Sequence, residues 1–314
     1  GAQETLISAI LSGKDALGIM PTGAGKSICY QIPGLMLPGI TLVVSPLISL
    51  MQDQVRALKA AGIAGAYLNS SLSYKQYLRA LDNARKGMYK IIYVAPERLV
   101  TGEFQSFAAS VPISLVAVDE AHCVSQWGQD FRPSYMNIAP FVAMLPTRPV
   151  LAAFTATATP AVREDILCHL KLQNPEIAVT GFNRENLFFR VLKPTDKKAA
   201  LLEFVAQHRD ESGIVYCSTR KNVEKVTELL KDSGISAARY HAGLEEEERR
   251  EGQTAFLYDK VKVMVATNAF GMGIDKQNVS YVVHYNMPKN MEAYYQEAGR
   301  AGRDGSKAEC LLLY

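Results

Sequence analysis

Two arginines stand three residues apart in the run Gln296-Glu297-Ala298-Gly299-Arg300-Ala301-Gly302-Arg303-Asp304-Gly305, with glycines beside them. Far upstream lies a second glycine-rich stretch, Gly23-Ala24-Gly25-Lys26-Ser27. Alone, a loop of that kind says only that a nucleotide binds. Paired with distant arginines, it suggests two lobes closing on one triphosphate. An arginine arriving from a second lobe stabilises charge on a transferring phosphoryl group, an effect of about 10³–10⁵ in rate. Hydrolysis would then drive motion, and the chain reads as a motor.

The upstream stretch has the context this chemistry needs. A β-like run, Ala16–Met20, leads into Pro21-Thr22-Gly23-Ala24-Gly25-Lys26-Ser27, and a helical pattern follows. Glycines let backbone N–H groups approach phosphate oxygens, and the helix start adds a favourable field. Thr22, Gly23, Ala24 and Gly25 are expected to line the phosphates, with Lys26 on the β/γ-phosphates and the Ser27 hydroxyl on Mg²⁺. The strict pattern would put a glycine where Met20 stands. The plain alternative is a glycine turn before a helix.

A pair of acids follows another apolar run: Ser114–Val118 ends in Asp119-Glu120-Ala121-His122. Carboxylates at the carboxyl end of a buried strand occupy the usual ligand position of an open α/β sheet. Asp119 is expected to hold Mg²⁺ through water, and Glu120 to orient and deprotonate the attacking water. His122 could link the nucleotide to the other lobe. Against this stands a solvated acidic turn capping the next helix. Directly downstream, Cys123 to Tyr135 holds the only tryptophan, Trp127, with Phe131, Arg132 and Tyr135 close by. Gly128 and Pro133 argue for a loop. Aromatics and arginine on a loop suit base stacking and phosphate contact. Equally, Trp127 and Phe131 could pack inward as anchors.

The elements positioning these residues alternate between short apolar runs and amphipathic stretches. Strand candidates are Ala16–Met20, Thr41–Ser45, Lys90–Val94, Ser114–Asp119 and Val150–Thr155, then Gly213–Cys217, Ala237–Tyr240, Val261–Ala266, Tyr281–Tyr285 and Glu309–Leu313. Several are apolar throughout, as in strands covered on both faces. Helical patterns lie between them at Leu50–Ala61, Tyr74–Lys86, Asn222–Ser233 and Glu245–Leu257. The expected fold is α/β: two tandem lobes, 1–180 and 193–314, each a mostly parallel sheet flanked by helices, joined by a linker at 181–192 in which Asn183 to Val191 could form a strand.

Composition narrows the class. The chain has 314 residues, enough for two domains, and is 48% hydrophobic and 21% charged. A net charge of +3 is too small to argue nucleic-acid binding by itself. The five cysteines, with no CxxC, disfavour a zinc site or disulfide framework and fit a reducing compartment. No apolar run approaches the roughly 20 residues that span a bilayer. No secretory signal opens the chain, so no membrane partner is expected. Gly1-Ala2-Gln3 already lies in a helix-like pattern, as if the chain begins within a domain.

Taken together and in this order, the phosphate loop, Asp119-Glu120-Ala121-His122, the aromatic loop, Phe154-Thr155-Ala156-Thr157-Ala158-Thr159 and the arginine run resemble the RecQ family of superfamily-two DNA helicases. The resemblance covers essentially the whole chain. It implies two RecA-like lobes, ATP hydrolysis with Mg²⁺, and unwinding in the 3′-to-5′ direction on single-stranded DNA or DNA with a single-stranded 3′ tail. It implies adenine recognition by Gln3, phosphate contacts by Arg303 and Arg300, and a place for Gln296 near the water or γ-phosphate. Gly273 and Asp275 match a second-lobe segment bridging nucleotide and DNA. The family's aromatic-and-arginine lead-in before Gln3 is absent, and its zinc region and winged helix would follow Tyr314. The chain therefore resembles a motor core cut from a longer protein, cytoplasmic and nucleoid-associated in a bacterium or nuclear in a eukaryote. Protein partners are not specified.

Weaker candidates sit after strands in both lobes. Ser45, Asn69, Thr219, Arg220, His241 and Thr267 could grip successive phosphates of one strand without reading bases. Singly, each also suits a helix cap or turn. Thr155-Ala156-Thr157 could couple nucleotide to DNA, or simply end a strand. Two other functions remain open at this point. One is a nucleotide-gated clamp that binds DNA without cycling; the other is an RNA-directed motor.

Overall fold

A computed structural model describes all residues except Gln129, Phe182, Asn183 and 271–275. By its contacts the chain divides into two units, Gly1–Phe182 and Asn183–Tyr314.

The first unit holds β1 (Ala16–Ile19), β2 (Ile40–Val44), β3 (Gly65–Leu68), β4 (Ile91–Val94), β5 (Ile113–Val118), β6 (Val150–Thr155) and β7 (Glu176–Val179). Their order across the sheet is β3-β4-β2-β5-β6-β1-β7, and the pairs run parallel. The central strands are apolar throughout because helices cover both faces. Alternate residues of one strand feed different cores. Leu42, Val44, Val116 and Val118 join one cluster, while Val43, Leu115 and Ala117 join the other. Helices α1 (Ala2–Leu11), α2 (Lys26–Met36) and α3 (Ile48–Ala60) lie in this unit, followed by α4 (Tyr74–Arg85), α5 (Gly102–Ser110), α6 (Ile138–Met144) and α7 (Pro160–His169).

The second unit repeats the plan. Its strands are β8 (Leu187–Leu192), β9 (Ser212–Tyr216), β10 (Ala237–Tyr240), β11 (Val263–Ala266), β12 (Val279–His284) and β13 (Ala308–Leu313), in the order β10-β11-β9-β12-β13-β8. Helices α8 (Lys197–Gln207), α9 (Arg220–Asp232), α10 (Glu246–Leu257) and α11 (Met291–Ala298) alternate with them. Again the pairs are parallel and the strands feed two cores. The expected α/β class with two parallel-sheet lobes is the fold observed.

Three strands carry weak sequence signals for one reason. β3, β7 and β8 are edge strands with one side unpaired, so they need no continuous apolar run. β7 reads Glu-Ile-Ala-Val and no residue of it is fully buried. The stretch expected as a linker, 181–192, contributes β8, which pairs along its length with β13. The charged run from Glu245 is the start of α10, with Glu246, Glu247 and Glu248 in its first turn, where carboxylates complement the helix dipole.

Candidate functional site

In the first lobe the candidate residues gather at the carboxyl ends of three neighbouring strands, β5, β6 and β1. β1 and β5 are separated by one strand, or about 10 Å at the usual spacing. The phosphate loop leaves β1 and enters α2 at Lys26. Gly23 and Gly25 take φ of 83° and 75°, the left-handed region in which a side chain is strained. A Cβ on Gly25 would also strike the amide of Gln3. Met20 needs no such freedom. It continues β1, with its N–H donating to the Thr155 carbonyl at 3.0 Å, and is buried. That explains why a glycine is dispensable there.

Lys26 Nζ folds back onto its own loop, donating to the carbonyls of Met20 and Pro21 at 3.1 and 3.3 Å. Gln3 donates from Nε2 to the Ala24 carbonyl at 2.9 Å, so the adenine candidate touches the phosphate loop. Thr22, Ala24 and Ser27 are partly exposed, and Gly23 is exposed.

Asp119 is buried at the end of β5. Burial, then the neighbouring Glu120 charge, pushes its carboxyl up to about 7, while Lys26 pulls the other way. Asp119 Oδ1 accepts from the Glu120 N–H at 3.0 Å, and the Tyr135 hydroxyl donates to the Asp119 carbonyl at 2.9 Å. Glu120 sits at φ 47°, in the left-handed region for a side-chain-bearing residue. Such a backbone persists only where its surroundings hold it, and it is common at functional sites. Glu120 Oε2 is buried without a hydrogen bond, 3.4 Å from His122 Nδ1 but out of line for one. An acceptor left open in this way can take a proton from water.

His122 Nδ1 instead bonds Thr155 Oγ1 at 3.0 Å, and that hydroxyl contacts the Thr157 carbonyl at 3.0 Å. Its described contacts thus join β5 to β6 within one lobe. In the metal- and nucleotide-free protein, Asp119 has a sign we can test. A carboxyl raised in the folded state binds its proton where the unfolded chain does not. Its stabilising contribution is full below about pH 4 and is lost as pH rises through about 7. Asp119→Asn should therefore raise the melting temperature more at pH 8 than at pH 5. An equal shift at both would show that the carboxyl titrates normally.

The aromatic loop divides into two kinds of residue. Trp127 is 79% exposed and does not anchor the loop. Its N–H is held by Ser125 Oγ at 3.1 Å, and Ser125 donates to Asp165 at 2.6 Å. A Cβ on Gly128 would collide with the His122 carbonyl, so the loop passes close to the acids. Phe131 is partly buried. Arg132 is engaged with Asp130 at 2.9 Å and with the Pro46 carbonyl at 3.0 Å, tying this loop to the one after β2.

Burial sorts the weaker candidates. Ser45 and Asn69 are 0% exposed. Asn69 Oδ1 accepts from Ser71 N at 3.0 Å and Oγ at 2.7 Å, which favours its turn role. In the second lobe, Thr219 caps α9 by accepting from Asn222 N at 3.2 Å, and Arg220 is exposed beside it. His241 is buried; its Nε2 meets Glu224 at 2.6 Å and its Nδ1 accepts from Gly243 N at 3.1 Å. Thr267 is partly exposed at the end of β11, and its carbonyl accepts from Phe270 N.

The arginine run follows α11. Gln296 and Arg303 are partly exposed, whereas Arg300 is 9% exposed and its charge acts on the buried Tyr216 hydroxyl. Arg184 braces the turn, donating to the carbonyls of Gly299, Ala301 and Gly302 at 3.3, 3.1 and 2.6 Å. Glu297, on α11, bonds the buried His284 at 2.8 Å. Sequence reasoning passes over Arg184, which no motif spacing marks, and gives Tyr135 and Glu297 a place in their motifs but no role. Gly273 and Asp275 lie outside the described residues.

Oxygen donors suit a hard cation: the Asp119 carboxylate and Ser27 hydroxyl are of that type, and a dication would relieve the strain on Asp119. Among the described residues no cluster of three or more His, Cys, Asp or Glu forms a closed cage. Phosphates and water would complete such a site. No helix of the described residues is long and apolar enough to cross a membrane.

Comparison with known proteins agrees with this geometry. The DEAD/DEAH box helicase pattern matches residues 1–166, and the helicase conserved C-terminal domain matches 196–305. The chain belongs to the DEAD/DEAH box helicase family. Within it, the resemblance to the RecQ family holds. The chain is 53% identical over 94% of its length to the ATP-dependent DNA helicase RecQ of Bacillus subtilis, covering 50% of that protein. It is 48% identical over 99% of its length to the RecQ of Pasteurella multocida, covering 49%. It thus spans about half the length of these curated relatives. In fold it resembles S. cerevisiae Dbp5 bound to RNA and ADP BeF3, with a TM-score of 0.80 at 20% identity, over 100% of this chain and 83% of that one.

Proposed function

We propose that the chain is the ATP-hydrolysing motor core of a RecQ-type DNA helicase, moving 3′-to-5′ along single-stranded DNA. The observation that carries this reading is the pair Asp119-Glu120 at the carboxyl end of β5, with Asp119 buried and β1, which leads into the phosphate loop, two strands away in the same sheet. A clamp that never cycles has no use for a water-activating carboxylate in that position. The relatives named ATP-dependent DNA helicase support DNA as the polymer.

In this reading Lys26 and the loop amides of Thr22–Gly25 hold the phosphates, and Gln3 reads the adenine. Ser27 and Asp119 would hold Mg²⁺, which when bound neutralises phosphate charge. Glu120 takes the proton of the attacking water. Arg303 and Arg300 meet the charge developing on the γ-phosphate, with Gln296 near the water, so that lobe closure and hydrolysis are coupled. Gly273 and Asp275 would bridge nucleotide to DNA. Trp127 and Phe131 stack on bases, and Thr219, Arg220, His241 and Thr267 hold phosphates, with Ser45, Asn69 and Arg132 shaping the first-lobe turns.

The deciding experiment is ATP turnover with no polymer, single-stranded DNA, duplex DNA and RNA. Strong stimulation by single-stranded DNA is expected; stimulation by RNA alone would make the protein an RNA motor. Trp127→Ala should weaken the DNA-stimulated rate by about 5- to 150-fold, the loss of one stacked base at about 1–3 kcal/mol. Basal turnover should survive. Equal loss of both rates would remove Trp127 from the sensor role. Strand displacement on substrates with 3′ or 5′ single-stranded tails checks polarity.

A further inference from the structure

The turn that carries the two arginines is shaped by side chains that have no part in the chemistry described so far. Arg184 and Asn186 lie just ahead of β8, and both are partly exposed. From Nη1, Arg184 donates to the Gly299 carbonyl at 3.3 Å; from Nη2, it donates to the carbonyls of Ala301 and Gly302 at 3.1 and 2.6 Å. Its Nε donates to Asn186 Oδ1 at 3.2 Å. Asn186 in turn donates from Nδ2 to the carbonyls of Gly302 and Ser306 at 2.9 and 2.8 Å. Two side chains thus hold four backbone carbonyls far along the chain.

The identity of those carbonyls matters. A peptide group is planar, so fixing its oxygen fixes the Cα that follows. The Gly299 carbonyl belongs to the peptide that leads into Arg300, and the Gly302 carbonyl to the peptide that leads into Arg303. Gly302 has φ of 56°, and a Cβ on it would strike the Asn186 amide and the Ser306 carbonyl. Its N–H donates to the carbonyl of Val279, at the start of β12, at 2.8 Å. The backbone has little room to carry either arginine elsewhere.

All of these bonds lie within the second unit. The turn is therefore shaped without help from the first, which is the preorganisation that charge stabilisation at a reacting group requires. Lysine would be a poor substitute for Arg184. An ammonium is a point donor, whereas the guanidinium fork reaches carbonyls on either side of Arg300.

We propose that Arg184, supported by Asn186, is a positioning residue for ATP hydrolysis: it holds the peptides that enter Arg300 and Arg303, so that both guanidinium groups are aimed before phosphate arrives. This rests on the arginine roles proposed above. A misplacement of about 1 Å at a reacting centre costs about 10²-fold in rate.

The test follows hydrolysis of prebound ATP in a single turnover, with oligothymidylate present. It compares the parent, Arg184→Lys, Asn186→Ala, Arg303→Ala and the double variant Arg184→Lys/Arg303→Ala, with nucleotide affinity, DNA affinity and melting temperature measured beside it. Positioning requires Arg184→Lys to slow the chemical step by about 10- to 10²-fold, and Asn186→Ala to slow it less, with both affinities within about threefold of the parent. Asn186→Ala leaves Arg184 in place and serves as the test if Arg184→Lys lowers the melting temperature. Because Arg184 acts through the arginines, its loss and that of Arg303 should not multiply in the double variant. Losses that multiply would show independent damage to the lobe and overturn the positioning role. A slow Arg303→Ala beside Arg184→Lys and Asn186→Ala chains that hydrolyse like the parent overturns that role and leaves the function standing. An Arg303→Ala chain as fast as the parent overturns both.

Discussion

Replacing Glu120 by glutamine should cut ATP turnover by about 10²–10⁴, the usual contribution of a positioned general base. The substitution keeps size and hydrogen bonding but removes the group that takes a proton. Glu120 is well placed for a clean result. Its backbone N–H is held by Asp119, its φ of 47° is fixed by the turn, and one carboxylate oxygen is buried without a hydrogen bond. Glutamine also removes the like charge that helps push the Asp119 carboxyl up to about 7, so the nucleotide-free lobe should not be destabilised. Nucleotide affinity should hold or tighten while turnover collapses. A fluorescent nucleotide titration beside a phosphate-release assay separates the two. Turnover like the parent's would remove Glu120 from the chemistry and the motor reading with it.

Arg303→Ala is expected to have an effect as large, about 10³–10⁵ in the hydrolysis rate, if the guanidinium meets the transferring phosphoryl group. The two arginines should behave differently. Arg300 is 9% exposed, so its loss should also cost stability. Arg303 is partly exposed, on a turn whose carbonyls are held by Arg184. Arg303→Lys should recover little, because an ammonium lacks the planar fork of donors. Single-turnover hydrolysis with prebound ATP isolates the chemical step. A rate within a few-fold of the parent's would leave Arg303 without the role proposed for it.

Much of the site could be read locally. Gly23, Gly25 and Lys26 are needed in one short turn, and Asp119-Glu120 ends one apolar strand, so neighbours in sequence carry the chemistry. The central strands were equally legible, since burial on both faces forces runs such as Ile40–Val44. Edge strands were mixed: β10 was read, but β7 has no fully buried residue and so shows less. β8 reads only as a linker strand until β13 is seen beside it, which makes it part of the second sheet.

The sequence by itself determined which residues could do chemistry, the twofold alternation of strands and helices, and the family to which both belong. Tertiary structure decided who meets whom. β6 lies between β5 and β1, and that order brings Thr155 to His122 and Met20. Burial made Asn69 an anchor, contacts with Asp130 and the Pro46 carbonyl held Arg132, and Trp127 was left in solvent. Arg184 reaches a turn more than a hundred residues away. The physical reason is the same throughout: spacing along the chain fixes local geometry, but strand order and burial fix which polar groups lose water together and must satisfy one another.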